Sequence, residues 1–94
     1  MTRYFDRDGS PMTLIEWATK FESQSARRVA EDYIGDVHIS TVWLGLDHAF
    51  FGGAPLIFET MIVGGPHDQF QDRYSTEAQA LEGHANALKL AGGV

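Results

Sequence analysis

Four side chains in this chain are of the types that hold metals or move protons: Asp47, His48, Glu59 and His84. Carboxylates and imidazoles brought together can ligate a cation or act as an acid–base pair. Their spacing matches no ligand motif, so convergence depends entirely on the fold. The ordinary reading assigns Asp47 to closing a turn through its own side chain and the histidines to structural hydrogen bonds. His38 and His67 are weaker candidates, one a strand residue among many and the other in a turn. The run Asp6-Arg7-Asp8-Gly9 has part of a calcium-loop pattern. The twelfth loop position would fall on Ile15, with Glu16 one residue beyond it, so a tight Asp-Gly turn is the expected structure. No metal and no cofactor are expected.

A different chemistry is offered by Ala49-Phe50-Phe51-Gly52-Gly53-Ala54-Pro55. Adjacent residues cannot easily enter one core together, so one of the two phenylalanines is expected outside it. An aromatic ring on a loop is a common anchor for a partner. The alternative is a loop that folds back over the sheet.

Composition narrows the classes. The net charge of −6 over 94 residues disfavours sequence-independent nucleic-acid binding, which needs a basic surface. Cysteine is absent, which excludes disulfides, thiolate metal sites and a cysteine nucleophile. A small domain without such staples is expected in the cytoplasm. No apolar run approaches the roughly 20 residues of a membrane span. The first residues also lack the apolar stretch of a signal peptide. Length predicts a single domain, residues 1–94.

Two helices bracket the elements that must position these residues. Thr13-Leu14-Ile15-Glu16 is a capping box, with Met12 and Trp17 at the flanking staple positions. A helix is predicted over 13–23, with Leu14, Trp17, Ala18 and Phe21 on its apolar face. A second is predicted over 76–90, with Tyr74-Ser75-Thr76-Glu77 supplying the cap and Thr76 with Gln79 as a second possible box. Its stripe is read as Ala78, Leu81, Ala85 and Leu88, widened by Ala80, Ala87 and Ala91. Gly83 interrupts it at a cost of about 1 kcal/mol against alanine, which a close approach to the sheet would justify.

Between the helices the pattern is that of strands. Residues 28–34 and 37–46 flank a Gly35-Asp36 turn. Further strands cover 56–63 and 69–74, broken by Gly64-Gly65-Pro66, and Tyr4-Phe5-Asp6 can add a short edge strand. The fold class is therefore α+β: a four-stranded antiparallel meander with one helix before and one after it. If Leu46 faces Pro55, then Val37, Ile39, Thr41 and Trp43 share a face with Leu56, Phe58, Thr60 and Ile62. The other face carries His38, Ser40, Val42, Leu44 and Leu46 with Ile57, Glu59, Met61 and Val63. Two helices cover one face, so the other is expected to meet something. A homodimer through Val42, Leu44, Ile57 and Met61, rimmed by Phe50 and Phe51, is the simplest arrangement.

Several segments carry a resemblance: Tyr4 to Met12 (YFDRDGSPM), Ser40 to His48 (STVWLGLDH), Pro55 to Met61 (PLIFETM), Tyr74-Ser75-Thr76-Glu77, and Gly83-His84. Together they resemble a group of short uncharacterised proteins of actinobacteria and their tailed phages, over nearly the whole chain. The resemblance implies a phage or prophage origin and brings no activity and no catalytic residue. The expected function is a non-enzymatic protein–protein interaction module, an accessory protein acting on a bacterial host protein. The alternative is a small-molecule binder, nucleotides included, with a pocket near residues 47–55. An acid–base or metal-dependent enzyme comes third.

Overall fold

Thr13 sits in extended backbone and starts the first helix. Its hydroxyl accepts the Glu16 amide at 3.2 Å, and the Glu16 carboxylate accepts the Thr13 amide at 2.8 Å. Two donors that a helix start leaves open are thereby satisfied. In the computed structural model, which describes residues 3–48 and 52–92, this helix, α1, spans Leu14–Phe21. Before it, β1 (Tyr4–Phe5) and β2 (Pro11–Met12) form a two-stranded ribbon. Its tight turn is the one expected at Asp-Gly. The Asp8 carboxylate takes the Ser10 amide and hydroxyl, and that of Asp6 takes the Arg7 amide and the Lys20 ammonium. Tyr4 touches the main sheet through a single bridge to Leu46, so β1 belongs to the ribbon and is not an edge strand of that sheet. Ser23 caps a one-turn helix, α2 (Gln24–Arg27), by accepting the Ala26 amide. One turn is too short to leave a periodic pattern, so it was not among the expected elements.

The main sheet is the expected meander. Strands β3 (Arg28–Ile34), β4 (Val37–Trp43), β5 (Phe58–Val63) and β6 (Gln71–Tyr74) pair antiparallel in the order β3-β4-β5-β6. Helix α3 (Glu77–Gly92) follows, entered through the Thr76–Gln79 box. Trp43 faces Phe58, Thr41 faces Thr60 and Ile39 faces Ile62, which is the register implied by setting Leu46 against Pro55.

That ladder stops short of Leu46. The Ile57 carbonyl accepts both the Leu44 amide at 2.7 Å and the Gly45 amide at 3.2 Å, the mark of a bulge. Gly45 adopts a φ of +73° between the indoles of Trp17 and Trp43, where a Cβ would collide with both rings. Beyond this point the alternation of faces no longer holds. Ile57, expected on the outer face, is 1% exposed and belongs to the core cluster with Trp43, Phe58 and Ala80. The indole N–H of Trp17 donates to the Leu44 carbonyl and that of Trp43 to the Phe5 carbonyl. These two bonds tie α1 and the ribbon to the end of the sheet.

Helix α3 covers the inner face with Ala80, His84 and Ala87 buried, and Leu88 and Ala91 pack beside them. The expected stripe is thus rotated, and Leu81 is 49% exposed. The reason is volume. The inner face already presents Ile39, Trp43, Phe58 and Ile62, and only the small-residue side of the helix lets the two layers meet without overpacking. Gly83 serves that approach, because a Cβ there would enter the hydroxyl and ring of Tyr74. Gly83→Ala should therefore destabilise the protein by about 1–3 kcal/mol in urea unfolding, through overpacking. In an open helix the same change stabilises by about 1 kcal/mol. Repeated in a Tyr74→Ala background, it should become stabilising. An unchanged sign there would separate Gly83 from Tyr74.

Candidate functional site

The four polar residues singled out by type do not meet. Asp47 closes the β4–β5 connection: its carboxylate accepts the Leu56 amide at 3.0 Å and its amide donates to the Arg3 carbonyl. The His48 amide donates to the Leu56 carbonyl. Glu59 points to the outer face, where its carboxylate accepts Gln71 at 2.7 Å and Arg73 at 3.1 Å. His84 lies under the inner face. Glu59 and Thr60 are neighbours in one strand and so project to opposite sides. The sheet itself therefore stands between Glu59 and His84. Among the described residues no group of three or more acidic or histidine side chains is placed to hold a metal.

The outer face is not the bare apolar surface expected from the sequence. Glu31 accepts Arg28 and His38, both at 2.9 Å, and the Tyr33 ring stacks on His38 at 4.4 Å. The Tyr33 hydroxyl, followed by His38, holds the Glu31 carboxyl below its ordinary range. Arg73 and Gln71 ring Glu59 on the other side of the face. Val42 and Met61 sit half-buried within this polar lattice. Leu44 is half-buried past the end of the ladder. Phe50 and Phe51 lie outside the described residues.

Under the inner face His84 joins a connected polar chain. Its Nε2 lies 2.8 Å from Asp32 Oδ2 and its Nδ1 lies 2.7 Å from Thr41 Oγ1, which lies 2.5 Å from Thr60 Oγ1. A carboxylate can only accept, so with neutral His84 the ring hydrogen resides on Nε2, and Nδ1 accepts the Thr41 hydroxyl hydrogen. Thr41 then accepts from Thr60. Tyr74 comes next; burial pushes its hydroxyl pKa up while its hydrogen bond with Thr60 opposes that shift. One strand contributes one residue each time: Asp32 from β3, Thr41 from β4, Thr60 from β5 and Tyr74 from β6.

Carboxylate, imidazole and hydroxyl in line are the arrangement that activates a nucleophile in hydrolytic triads. Here Thr41 and Thr60 are both 0% exposed and His84 is 5% exposed. A nucleophile must reach its substrate, and this hydroxyl is closed off by Thr60 and the core. The arrangement as it stands holds three strands to a helix. Asp32, Thr41, Thr60 and Tyr74 were not singled out by type. The available signal was two threonines at matched positions in an otherwise apolar inner alternation.

Tyr74 also forms part of an open cleft of about 710 Å³ between β6 and the flank of α3. Leu56, Phe70, Tyr74 and Leu90 supply its apolar lining, and Asp72, Arg73 and Glu82 bring charged residues to it. Gly83 and Ala87 lie between them, so the short side chains that let α3 approach the sheet also leave this space.

No family model, no curated protein and no solved structure matches this chain.

Thr41→Val keeps the shape of the core but leaves a buried imidazole nitrogen without its donor, at a cost of about 1–3 kcal/mol. In a His84→Leu background no imidazole remains to be orphaned, and the same change should cost far less. Equal costs in the two backgrounds, measured by urea unfolding, would mean that the two residues are not coupled.

Proposed function

We propose that this chain is a non-catalytic protein-interaction module that receives a partner in the cleft between β6 and α3. One contrast carries the reading. The Thr41 hydroxyl and the His84 imidazole are closed to solvent and only the Asp32 carboxylate at the end of the chain is half-exposed, while the cleft beside them is open and lined by both apolar and polar residues. An apolar centre with a polar rim is the composition of a binding surface. The resemblance to proteins of actinobacteria and their phages supports reading the partner as a bacterial host protein. Burying the outer face in a homodimer would bury the Glu31 and Glu59 ion pairs with it, at a desolvation cost that such pairs often fail to recover.

Small-molecule binding is the second reading, because the cleft volume falls in the range of ligand pockets and Leu56, beside the 47–55 connection, lines it. Asp72 and Glu82 on the walls disfavour phosphate-bearing ligands. Among the described residues no helix is long and apolar enough to cross a membrane.

Asn86 lines the cleft from the exposed side of α3, so Asn86→Trp should fill the space without entering the core. Host proteins captured by the tagged protein should be lost with Asn86→Trp and retained with Lys89→Glu. Capture that is indifferent to Asn86→Trp would overturn the assignment of the cleft.

A further inference from the structure

We infer that the partner docks by strand addition: an extended segment with a lysine or arginine at every second position joins the open edge of β6 as a fifth strand, the aliphatic stems of those side chains lying over the apolar residues of the cleft and their charged ends meeting Asp72 and Glu82. This rests on the cleft being the binding site and adds how the site is used and by what chemistry.

The first support is the edge itself. Strand β6 is last in the sheet order. The Ile62 amide donates to the Phe70 carbonyl, and Asp72 faces Thr60 and Tyr74 faces Phe58 in the same register. In an antiparallel ladder these alternate residues turn their backbone groups toward β5. Gln71 and Arg73 therefore turn theirs outward, as a template for another strand. The Arg73 amide is held by the Asp72 carboxylate at 2.9 Å, a local bond that an incoming carbonyl can replace.

The second support is the floor. A fifth strand would place every other side chain over the flank of α3, where Gln79, Glu82, Gly83, Asn86 and Leu90 line the cleft. The space is there because Gly83 and Ala87 fill little of it.

Charge selects the occupant. Asp72, Arg73 and Glu82 all line the cleft, but the Arg73 charge is already paired with Glu59 on the outer face. The cleft side is thus acidic, and a segment presenting lysine or arginine at period two complements it. A second copy does not. Two-fold pairing of β6 on β6 with Gln71 opposite Arg73 sets Asp72 against Asp72. Shifting the pairing by two residues sets Arg73 against Arg73 in one direction, and in the other sets Gln71 against Gln71 and Asp72 against Phe70, so no register brings a basic residue opposite Asp72. Like charges directly opposite destabilise a strand pair.

The probe is a blocked octapeptide alternating valine and lysine, added to the full chain. Backbone amide exchange and amide NMR shifts are read at Gln71 and Arg73. Binding should slow exchange at both amides. It should weaken about tenfold when glutamate replaces lysine, when alternate peptide amides are N-methylated, or when Asp72→Asn and Glu82→Gln are combined. Equal binding of the glutamate peptide overturns the charge assignment. Shifts on α3 without protection at Gln71 and Arg73 indicate a helical or small-molecule occupant and overturn strand addition. Protection of both amides before any peptide is added, with a dimer in sedimentation, indicates a second copy and overturns it as well. No protection at millimolar peptide overturns the inference while leaving the cleft reading intact, provided host capture remains sensitive to Asn86→Trp. If capture is insensitive too, the cleft reading has failed with it.

Discussion

Helix α3 approaches the sheet through a face that has almost no bulk. Ala80, Gly83, His84 and Ala87 meet Ile39, Trp43, Phe58, Ile62 and Tyr74, and most of the bulk comes from the strands. Because interiors are filled to near-crystalline density, this division of volume determines how the helix is rotated and how close it lies. Leu81 is turned to solvent as a result. Tyr74 packs where a Cβ of Gly83 would be, and the flank of the helix stands back from β6 far enough to leave the cleft.

The same close approach brings an imidazole into the middle of the core. A buried polar group is costly unless each of its atoms has a partner, and His84 finds Asp32 and Thr41 on its two sides. Thr41 is in turn paired with Thr60 across the strand register. The buried side-chain polar atoms among the described residues all have partners. A fully connected network of this kind specifies one register for β4 on β5 and one rotation for α3. A slip by one residue would take both threonines to the other face.

Polar interactions also divide the two sides of the sheet by role. The outer face is covered by ion pairs centred on Glu31 and Glu59. They are exposed enough to add little stability, yet they leave the face wet and poorly suited to an apolar seal. The edge at β6 is short and guarded at one amide by the Asp72 side chain. Short edges with a charge beside them resist indiscriminate pairing, which is compatible with accepting a strand of opposite charge.

The order and type of the main elements were legible in the sequence because they depend on local rules. The Thr13–Glu16 and Thr76–Gln79 boxes, the Gly35-Asp36 turn and the period-two runs each act within a few residues, and the structure has all of them. The β4–β5 register was not legible in the same way: the pairing of Leu46 with Pro55 was an assumption that the observed pairs match, but a slip by one residue also leaves apolar side chains on both faces. The candidate site was not legible. Asp47, His48, Glu59 and His84 were chosen by residue type, but where a side chain points depends on strand parity and helix rotation. The bulge at Leu44 and Gly45 ended the parity that had put Ile57 outside. The rotation of α3 was decided by the volume of the opposing sheet, which no window along the helix contains. His84 thereby met Asp32, Thr41 and Thr60, 52, 43 and 24 residues away along the chain. The sequence by itself determined which segments become strands and helices, through contacts a few residues apart. The tertiary structure alone decided which polar groups meet and where a cleft remains, because both depend on how two separately formed layers share one volume.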